Sequence, residues 1–326
     1  MSEEPDNVND SVNGNVNVNV CVVGCGAIGS LFAGHLARVP GVTVWGLDVS
    51  AAHVDAINLN GLQVTGPEEF RVRFEARTDP ADIPPCELGI IATKSEYTRD
   101  AMSSAAAIFA DAAVATVQNG IGNEEIVAEY ASRVIRASTL LAGSIVEPGV
   151  VHLDASGDTW MGPFESQPAT HAEVALLAAK LTQGGLPTHA MEDARGAQWT
   201  KLVFNAATNA IGAATGLTIG QVGSTPGLRS IVSSLIAEGR AVAAALGIEL
   251  DSDPEAMIDD AIAHAYWHRA SMLQDVSLKR PTEVNVLNGG IVAEGRRVGV
   301  PTPLNETLVA IIEGIQMSWV APPPAE

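Results

Sequence analysis

Basic residues are scarce in this chain of 326 residues. It has 18 lysines and arginines against 38 aspartates and glutamates, which gives a formal net charge of −20. A chain this acidic repels the phosphates of nucleic acids and of anionic lipids, so we expect neither nucleic acid nor membrane as a partner. The negative net charge does not exclude a small anionic ligand, because one buried lysine affects the electrostatic field at a binding site more than distant, screened carboxylates do.

Cysteines and long apolar runs are also few. The three cysteines, Cys21, Cys25 and Cys86, are odd in number and lack zinc-type spacing, so the sequence predicts neither a disulfide framework nor a metal site. No run of about 18 uncharged apolar residues and no basic leader followed by an apolar stretch occurs, which argues against a spanning helix and a secretion signal. We therefore expect a cytoplasmic protein.

The remaining composition is that of a folded protein, with 47% hydrophobic and 17% charged residues. At roughly 150 residues per domain, the length favours two domains. Residues 1–16 are acidic and rich in asparagine, and residues 321–326 read APPPAE, so we predict a disordered tail at each end. Between the tails we predict a first domain over residues 17–192 and a second over residues 193–320.

Alternating strands and helices characterise the first domain. Apolar, β-rich runs at residues 18–23, 42–48, 88–93 and 113–117 alternate with helical patterns at 30–39, 51–58 and 100–110. This predicts an α/β fold with a Rossmann-type, doubly wound sheet, with further strands over residues 139–162 at its far side. The second domain shows helical patterns at residues 198–214, 228–246, 254–266, 282–298 and 305–319, and we predict it to be all-α.

A glycine-rich turn joins the first predicted strand to the first predicted helix. Gly24, Gly26 and Gly29 form a G-x-G-x-x-G pattern, in which glycine allows a tight turn, close approach of a pyrophosphate and close helix packing. The phosphates would lie at the helix N-terminus. We predict that the whole turn binds a dinucleotide cofactor: Gly24, Cys25, Gly26, Ala27, Ile28 and Gly29.

An aspartate indicates which dinucleotide binds. Asp48 ends the second predicted strand, 24 residues after Gly24, where a carboxylate accepts hydrogen bonds from the ribose hydroxyls of NAD. A carboxylate repels a 2′-phosphate, so Asp48 favours NAD(H) over NADP(H). The alternative is that Asp48 only caps the turn that follows it.

A polar stripe marks the first helix of the second domain. Lys201, Asn205 and Asn209 repeat every fourth residue, so they share one face of an otherwise apolar helix. Burying these groups without partners is costly, which predicts a wet cleft at this face. When a nicotinamide reduces a ketone, the ketone oxygen gains negative charge, and Lys201 can donate a proton to it. The alternative is a snorkelling surface lysine with two asparagines in a helix interior.

Five segments carry a further signal when they are taken together. In chain order they are VVGCGAIGSLFAGHLA, ATKSEYT, VQNGIGNEE, WTKLVFNAATNAIGAATG and SMLQDVSLKRPTEVNVLNGGIVAEGRRVGVPTPLNETL. The chain resembles the ketopantoate reductase (2-dehydropantoate 2-reductase) family. The resemblance implies an oxidoreductase of pantothenate biosynthesis, with NADPH on the Rossmann half and a 2-oxo acid in the cleft. It implies Lys201 as the general acid, and Asn205 and Asn209 as substrate-binding amides.

The same resemblance implies roles for four other residues. Glu283 of the PTE motif matches a catalytic, substrate-contacting glutamate, and Ser271 a substrate-contacting serine. Asn119 of the QNG motif is implied to lie near nicotinamide and substrate, and Lys94 on the cofactor side. From the residues alone, Glu283 is also a candidate cap of a helix beginning near Pro281, and Asn119 an ordinary turn residue.

Two observations qualify the resemblance. Members that use NADPH carry an arginine near the end of the second strand, whereas this region reads WGLDVS. The family's cofactor preference therefore need not hold here. Asp275, one helical turn after Ser271, is interpreted as an ion partner for Lys279 or Arg280.

Together these features predict hydride transfer between a nicotinamide cofactor and a small 2-oxo acid, with ketopantoate to pantoate as the leading candidate. The alternative is an NAD-dependent relative that acts on a different 2-oxo or 2-hydroxy acid or on a secondary alcohol. A non-catalytic dinucleotide sensor is disfavoured, because the chain keeps its cleft residues. The apolar helices of the second half are interpreted as a core or as the interface of a homodimer.

Overall fold

The computed structural model describes residues 17–319, and both predicted tails lie outside the described residues. The predicted fold class, an α/β half followed by an all-α half, is confirmed. The strands are β1 (Val18–Val23), β2 (Val42–Leu47), β3 (Leu62–Thr65), β4 (Phe70–Val72), β5 (Glu75–Arg77), β6 (Leu88–Ile91), β7 (Ala113–Thr116), β8 (Arg133–Thr139), β9 (Ala142–Glu147), β10 (Val150–Ala155), β11 (Thr159–Pro163) and β12 (Thr188–Ala190).

The α-helices follow the same chain order. They are α1 (Ala27–Leu36), α2 (Ala51–Asn60), α3 (Thr98–Ala105), α4 (Asn123–Ala128), α5 (His171–Gly184), α6 (Arg195–Thr215), α7 (Ile219–Ser224), α8 (Pro226–Ala245), α9 (Pro254–His264), α10 (Ser271–Ser277), α11 (Asn288–Val298) and α12 (Pro303–Met317). Within residues 17–319, no helix combines the length and hydrophobicity that a membrane span requires.

The main sheet has eight strands in the order β12, β11, β8, β7, β6, β1, β2 and β5. From β8 to β5 all neighbours run parallel, whereas β11 runs antiparallel to β8. Side chains of β1 alternate between two cores, with Val20 and Val22 in one and Cys21 and Val23 in the other. Because both faces of the sheet are covered, this strand is apolar over most of its length.

A second, four-stranded sheet departs from the prediction. Strands β9 and β10 do not extend the main sheet but pair with each other, and β10 also pairs with β3, which pairs with β4, so the order is β4, β3, β10, β9. Gly149, with φ of +78°, forms the tight turn between β9 and β10. A Cβ at Gly143 would lie 2.6 Å from Cδ1 of Leu31, so β9 packs closely on α1.

Helix α6 is the longest element and the centre of the helical core. Trp199, Leu202, Val203 and several alanines of this helix are buried in it. A Cβ at Gly239 of α8 would lie 2.7 Å from Val203, so the two helices pack closely. The connection between β12 and α6 spans residues 191–194. The predicted division between residues 192 and 193 falls in this connection and stays a prediction.

The predicted helix over residues 282–298 is wrong in its first part, because α11 begins only at Asn288. Residues 282–287 lie outside the helix, with a turn over residues 284–287, and their backbone makes hydrogen bonds to other segments. The carbonyl of Val286 accepts a hydrogen bond from the backbone N–H of Ile121, and Gln316 Oε1 accepts one from the N–H of Thr282. Glu283 therefore does not lie in the first turn of a helix, which excludes the capping alternative.

Candidate active site

The glycine turn lies between β1 and α1. Gly24 has φ of +85°, and a Cβ there would lie 2.7 Å from the backbone nitrogen of Thr93. A Cβ at Gly29 would lie 2.0 Å from the carbonyl oxygen of Gly24, so both positions require glycine. At Gly26, the N-cap of α1, a Cβ would meet no atom within 4 Å. This open space adjoins the positive end of a helix whose first turn has no acidic residue.

The other residues of the turn differ in what they offer a ligand. The Cys25 thiol is buried, and burial raises its pKa far above the usual range, so this residue offers only its backbone. Ala27 and Ile28 are half-buried in the first turn of α1. Within residues 17–319 all three cysteines are free and buried.

Asp48 follows directly after β2 and is half-buried. Its Oδ1 accepts a hydrogen bond of 2.8 Å from the backbone N–H of Ser50 before α2, so Asp48 caps the turn that follows it. Its Oδ2 makes no hydrogen bond within residues 17–319 and remains free for a ligand. The backbone N–H of Asp48 donates a hydrogen bond to the carbonyl oxygen of Arg77 in β5. The guanidinium of Arg77 forms an ion pair with Glu75 at 2.7 Å.

Lys201, Asn119 and Glu283 form one hydrogen-bonded chain. Nζ of Lys201 donates to Oδ1 of Asn119 at 2.7 Å, and Nδ2 of Asn119 donates to Oε2 of Glu283 at 3.2 Å. Oε1 of Glu283 accepts from the backbone N–H and the hydroxyl of Ser95, at 3.4 and 3.3 Å. Because an ammonium only donates and a carboxylate only accepts, these partners determine the orientation of the Asn119 amide.

The electrostatic surroundings of Lys201 in this series of hydrogen bonds favour proton transfer by its ammonium. Burial lowers the pKa of Lys201 from 10.5 to about 8, and the nearby charge of Glu283 opposes part of that shift. A lysine with this pKa is largely protonated at neutral pH and is a stronger acid than an exposed lysine. Perturbed pKa values of this kind are typical of functional sites.

The loop that carries Asn119 is held from both halves of the protein. Nδ2 of Asn123 donates to the Asn119 carbonyl at 3.1 Å, and Nε2 of Gln198 donates to the Gly120 carbonyl at 3.2 Å. Gln198 lies on α6, one turn before Lys201, so the same helix supplies the lysine and orients the loop it contacts. Nε2 of Gln118 donates to the Thr93 carbonyl at 2.9 Å, which links this loop to the one after β6.

The two asparagines of the stripe differ in their surroundings. Asn205 is half-buried, and its side chain makes no hydrogen bond within residues 17–319. Asn209 is only 4% exposed, and its Oδ1 accepts from the hydroxyl of Thr208 at 3.2 Å. Asn205 is therefore the more accessible of the two amides to a ligand beside Lys201.

Lys94 and Asp275 connect the two halves through an ion pair. Nζ of Lys94 forms an ion pair with Oδ2 of Asp275, whose Oδ1 lies 3.4 Å from Nε of Arg280. Asp275 is 3% exposed. Arg280, rather than Lys279, is thus its ion partner on the same segment. Ser271 begins α10, is exposed, and makes no side-chain hydrogen bond within the described residues.

Comparison with known proteins identifies the family. The chain matches two family models, "Ketopantoate reductase PanE/ApbA" over residues 20–166 and "Ketopantoate reductase PanE/ApbA C terminal" over residues 193–316. The chain belongs to the ketopantoate reductase family. This membership confirms the resemblance found in the sequence and the prediction of an oxidoreductase.

Ketopantoate reductases and a D-mandelate dehydrogenase match about nine-tenths of the chain. A 2-dehydropantoate 2-reductase of Pyrococcus horikoshii is 33% identical over 295 residues, which cover 90% of this chain and 96% of the relative. The crystal structure of a PanE/ApbA family ketopantoate reductase from Ralstonia eutropha JMP134 is 29% identical, with a TM-score of 0.83, and the match covers 92% and 99% of the chains. D-mandelate dehydrogenase with NADH and anilino(oxo)acetate is 25% identical, with a TM-score of 0.84 and the same coverage.

Some residues of this site were not predicted from the sequence. Ser95 and Asp275 contact the predicted site residues Glu283 and Lys94 across a long sequence separation. Gln198 contacts the carbonyl of Gly120, next to the predicted Asn119. Ser95 adjoins Lys94, and Gln198 precedes Lys201 by three residues on the same helix face, so both positions had a local signal. For the ion pair between Asp275 and Lys94, 181 positions apart, the sequence has no comparable signal.

Proposed function

We propose that this member of the ketopantoate reductase family transfers a hydride from NADH or NADPH to the carbonyl carbon of a small 2-oxo acid. Ketopantoate, reduced to pantoate, is the leading substrate, because relatives that match nearly the whole chain are named 2-dehydropantoate 2-reductases. The observation that carries the proposal is the series of hydrogen bonds from Lys201 through Asn119 to Glu283, which holds a buried lysine whose pKa is lowered to about 8.

Each member of that chain has a separate task. The bound nicotinamide supplies the hydride, and Lys201 donates a proton to the oxygen that becomes negative. One N–H of the ammonium is directed at Asn119, which leaves two for the substrate oxygen. Glu283 keeps the ammonium protonated at neutral pH, because its negative charge raises the pKa that burial lowers. The lysine then recovers a proton from solvent, so one 2-oxo acid, one NAD(P)H and one proton give one 2-hydroxy acid and one NAD(P)⁺.

Substrate binding is assigned to two polar groups of the helical half. The free Asn205 amide can hydrogen-bond the carboxylate or carbonyl of the 2-oxo acid, and the exposed Ser271 hydroxyl is a second donor. Asn209 supports the same face from a more buried position. The cytoplasmic location and the homodimer stay predictions.

The cofactor is proposed to be NADH in preference to NADPH. The free Oδ2 of Asp48 can accept from a ribose hydroxyl and would repel a 2′-phosphate. Arg77, the basic residue of the neighbouring strand, is neutralised by Glu75. The glycine turn supplies the open position for the pyrophosphate at Gly26, and Lys94 lies on the cofactor side of the cleft.

A second candidate function keeps the chemistry and changes the substrate. The structural similarity to D-mandelate dehydrogenase covers 99% of that chain, which was solved with NADH. This similarity and Asp48 favour an NAD-dependent enzyme for another 2-oxo or 2-hydroxy acid as the alternative to a ketopantoate reductase.

Initial rates separate the two candidates. The purified protein is assayed with ketopantoate, with an aryl 2-oxo acid and with linear 2-oxo acids, each with NADH and with NADPH. The proposal expects the highest kcat/KM for ketopantoate with NADH. A higher kcat/KM for the aryl acid favours the second candidate, a preference for NADPH contradicts the role of Asp48, and no turnover of any 2-oxo acid contradicts both functions.

A further inference from the structure

A buried histidine lies behind the glycine turn. His53 of α2 is 5% exposed, and its Nε2 lies 3.1 Å from the hydroxyl oxygen of Ser30 in α1. Ser30, which is fully buried, donates its own hydroxyl proton to the carbonyl oxygen of Cys25 at 2.7 Å. On the other side of the ring, the backbone N–H of Gly149 donates to Nδ1 at 3.1 Å.

The partners determine which ring nitrogen carries the proton. A backbone N–H can only donate, so Nδ1 of His53 must present its lone pair to Gly149. The neutral ring then has its proton on Nε2, which donates to Ser30 Oγ. Because the Ser30 proton is directed at Cys25, the hydrogen bonds run in one direction, from Gly149 through His53 and Ser30 to the Cys25 carbonyl.

The charge state of the ring agrees with this direction. Burial lowers the pKa of His53, while the negative charge of Asp48 opposes the shift. The ring is therefore neutral near pH 7. A protonated ring would direct an N–H at the N–H of Gly149 and would lose that hydrogen bond.

The carbonyl at the end of this chain belongs to the peptide that joins Cys25 to Gly26. In a planar trans peptide the C=O and the N–H point in opposite directions. Holding the Cys25 carbonyl toward Ser30 therefore directs the Gly26 N–H away from α1. The space beside Gly26 is open, since a Cβ there would meet no atom within 4 Å. That open space is where the proposed function has the pyrophosphate.

We propose that His53 is a positioning residue for the dinucleotide, and that it acts through Ser30 by orienting the Cys25–Gly26 peptide toward the pyrophosphate. This inference rests on the proposed function, because it requires a dinucleotide at the glycine turn. It also gives the small sheet a role, since the turn at Gly149 between β9 and β10 holds the ring from behind.

Two substitutions of His53 each keep one of the two hydrogen bonds of its imidazole ring and remove the other. In His53→Asn the amide oxygen occupies the place of Nδ1 and keeps the bond from Gly149, but the side chain is too short to reach Ser30. In His53→Gln the amide nitrogen occupies the place of Nε2 and donates to Ser30, but the Gly149 N–H loses its acceptor. Ser30→Ala removes the step between the ring and the turn.

The Kd for NADH, from titration of its fluorescence, and the Tm of the unliganded protein are measured for all variants. Losing one buried hydrogen bond predicts a Kd about tenfold higher in His53→Asn and in Ser30→Ala. His53→Gln should keep the Kd near that of the wild type while lowering the Tm. The double variant His53→Asn/Ser30→Ala should bind NADH like Ser30→Ala alone, because both substitutions interrupt the same series of hydrogen bonds. The exposed His264→Asn is the control, with no change expected.

The KM for NADH should rise in His53→Asn while kcat at saturating NADH is kept, because the peptide binds the cofactor and takes no part in proton transfer. The inference is overturned if the Kd follows the Tm across the variants, if both His53 variants bind like the wild type, or if the two substitutions add in the double variant. Failure of the wild-type protein to bind NADH or NADPH would instead contradict the proposed function itself.

Discussion

The pKa of Lys201 predicts the pH dependence of turnover. Burial lowers this pKa from 10.5 to about 8. At about 1.4 kcal/mol per pKa unit, the difference makes proton donation more favourable by on the order of 3 kcal/mol than from an exposed lysine. Because the protonated form donates, kcat/KM for 2-oxo acid reduction should be level below the pKa. It should fall about tenfold per pH unit above it.

Initial rates with NADH over a range from about pH 6 to about pH 10 measure this alkaline limb. Two substitutions test its origin. Lys201→Ala should lower kcat by roughly a hundredfold to ten-thousandfold, the usual contribution of a positioned general acid. Lys201→Arg, whose guanidinium has a pKa above about 12, should abolish the limb while retaining part of the activity.

The outcome that refutes this reasoning is a Lys201→Arg variant whose alkaline limb is unchanged. The limb would then report another group, and the acid would have to be found elsewhere in the cleft. A wild-type profile with no limb near pH 8 would equally contradict the effect of burial on Lys201.

Three other substitutions test the surroundings of the lysine. Glu283→Gln removes the charge that raises the pKa of Lys201, so the alkaline limb should move to lower pH; an unmoved limb in the same rate profile contradicts the coupling. Asp48→Asn removes the repulsion of a 2′-phosphate, so the ratio of kcat/KM for NADPH to that for NADH should rise; an unchanged ratio means that the carboxylate does not select the cofactor. Asp275→Asn breaks the ion pair with Lys94. Because Lys94 is 38% exposed, we expect the free energy of unfolding to fall by only about 1 kcal/mol in denaturant titration. No detectable fall would contradict a stabilising role for this ion pair.

Local patterns in the sequence accounted for the elements that depend on neighbouring residues. The run from β1 through the glycine turn to α1 combines an apolar strand, glycines at Gly24 and Gly29 that sterics require, and a helix, all within twenty residues or so. The stripe on α6 was equally visible, because its period matches the helix and its residue types contradict burial. Such signals need no knowledge of distant contacts.

Features that depend on distant pairing were missed or misassigned. β3 and β4 have only four and three residues, and β3 pairs with β10 from the other end of the α/β half, which no local periodicity reports. The apolar residues after Pro281 continue a helical pattern, yet Val286 gives its carbonyl to Ile121 instead. Ser95 and Asp275 joined the site only when the two halves were brought together.

The central claim is that hydride goes to the 2-oxo carbon while Lys201 supplies the proton. A single-turnover reaction with NADH deuterated at the transferred position, followed by mass spectrometry of the product, measures the hydride step, and the rate of the same reaction in Lys201→Ala measures how far that step depends on the lysine. The wild-type protein should place one deuterium at C2 of the 2-hydroxy acid, and Lys201→Ala should bind the cofactor but form this product at least about a hundredfold more slowly. Deuterium absent from C2, or transfer by Lys201→Ala at the wild-type rate, would contradict the account.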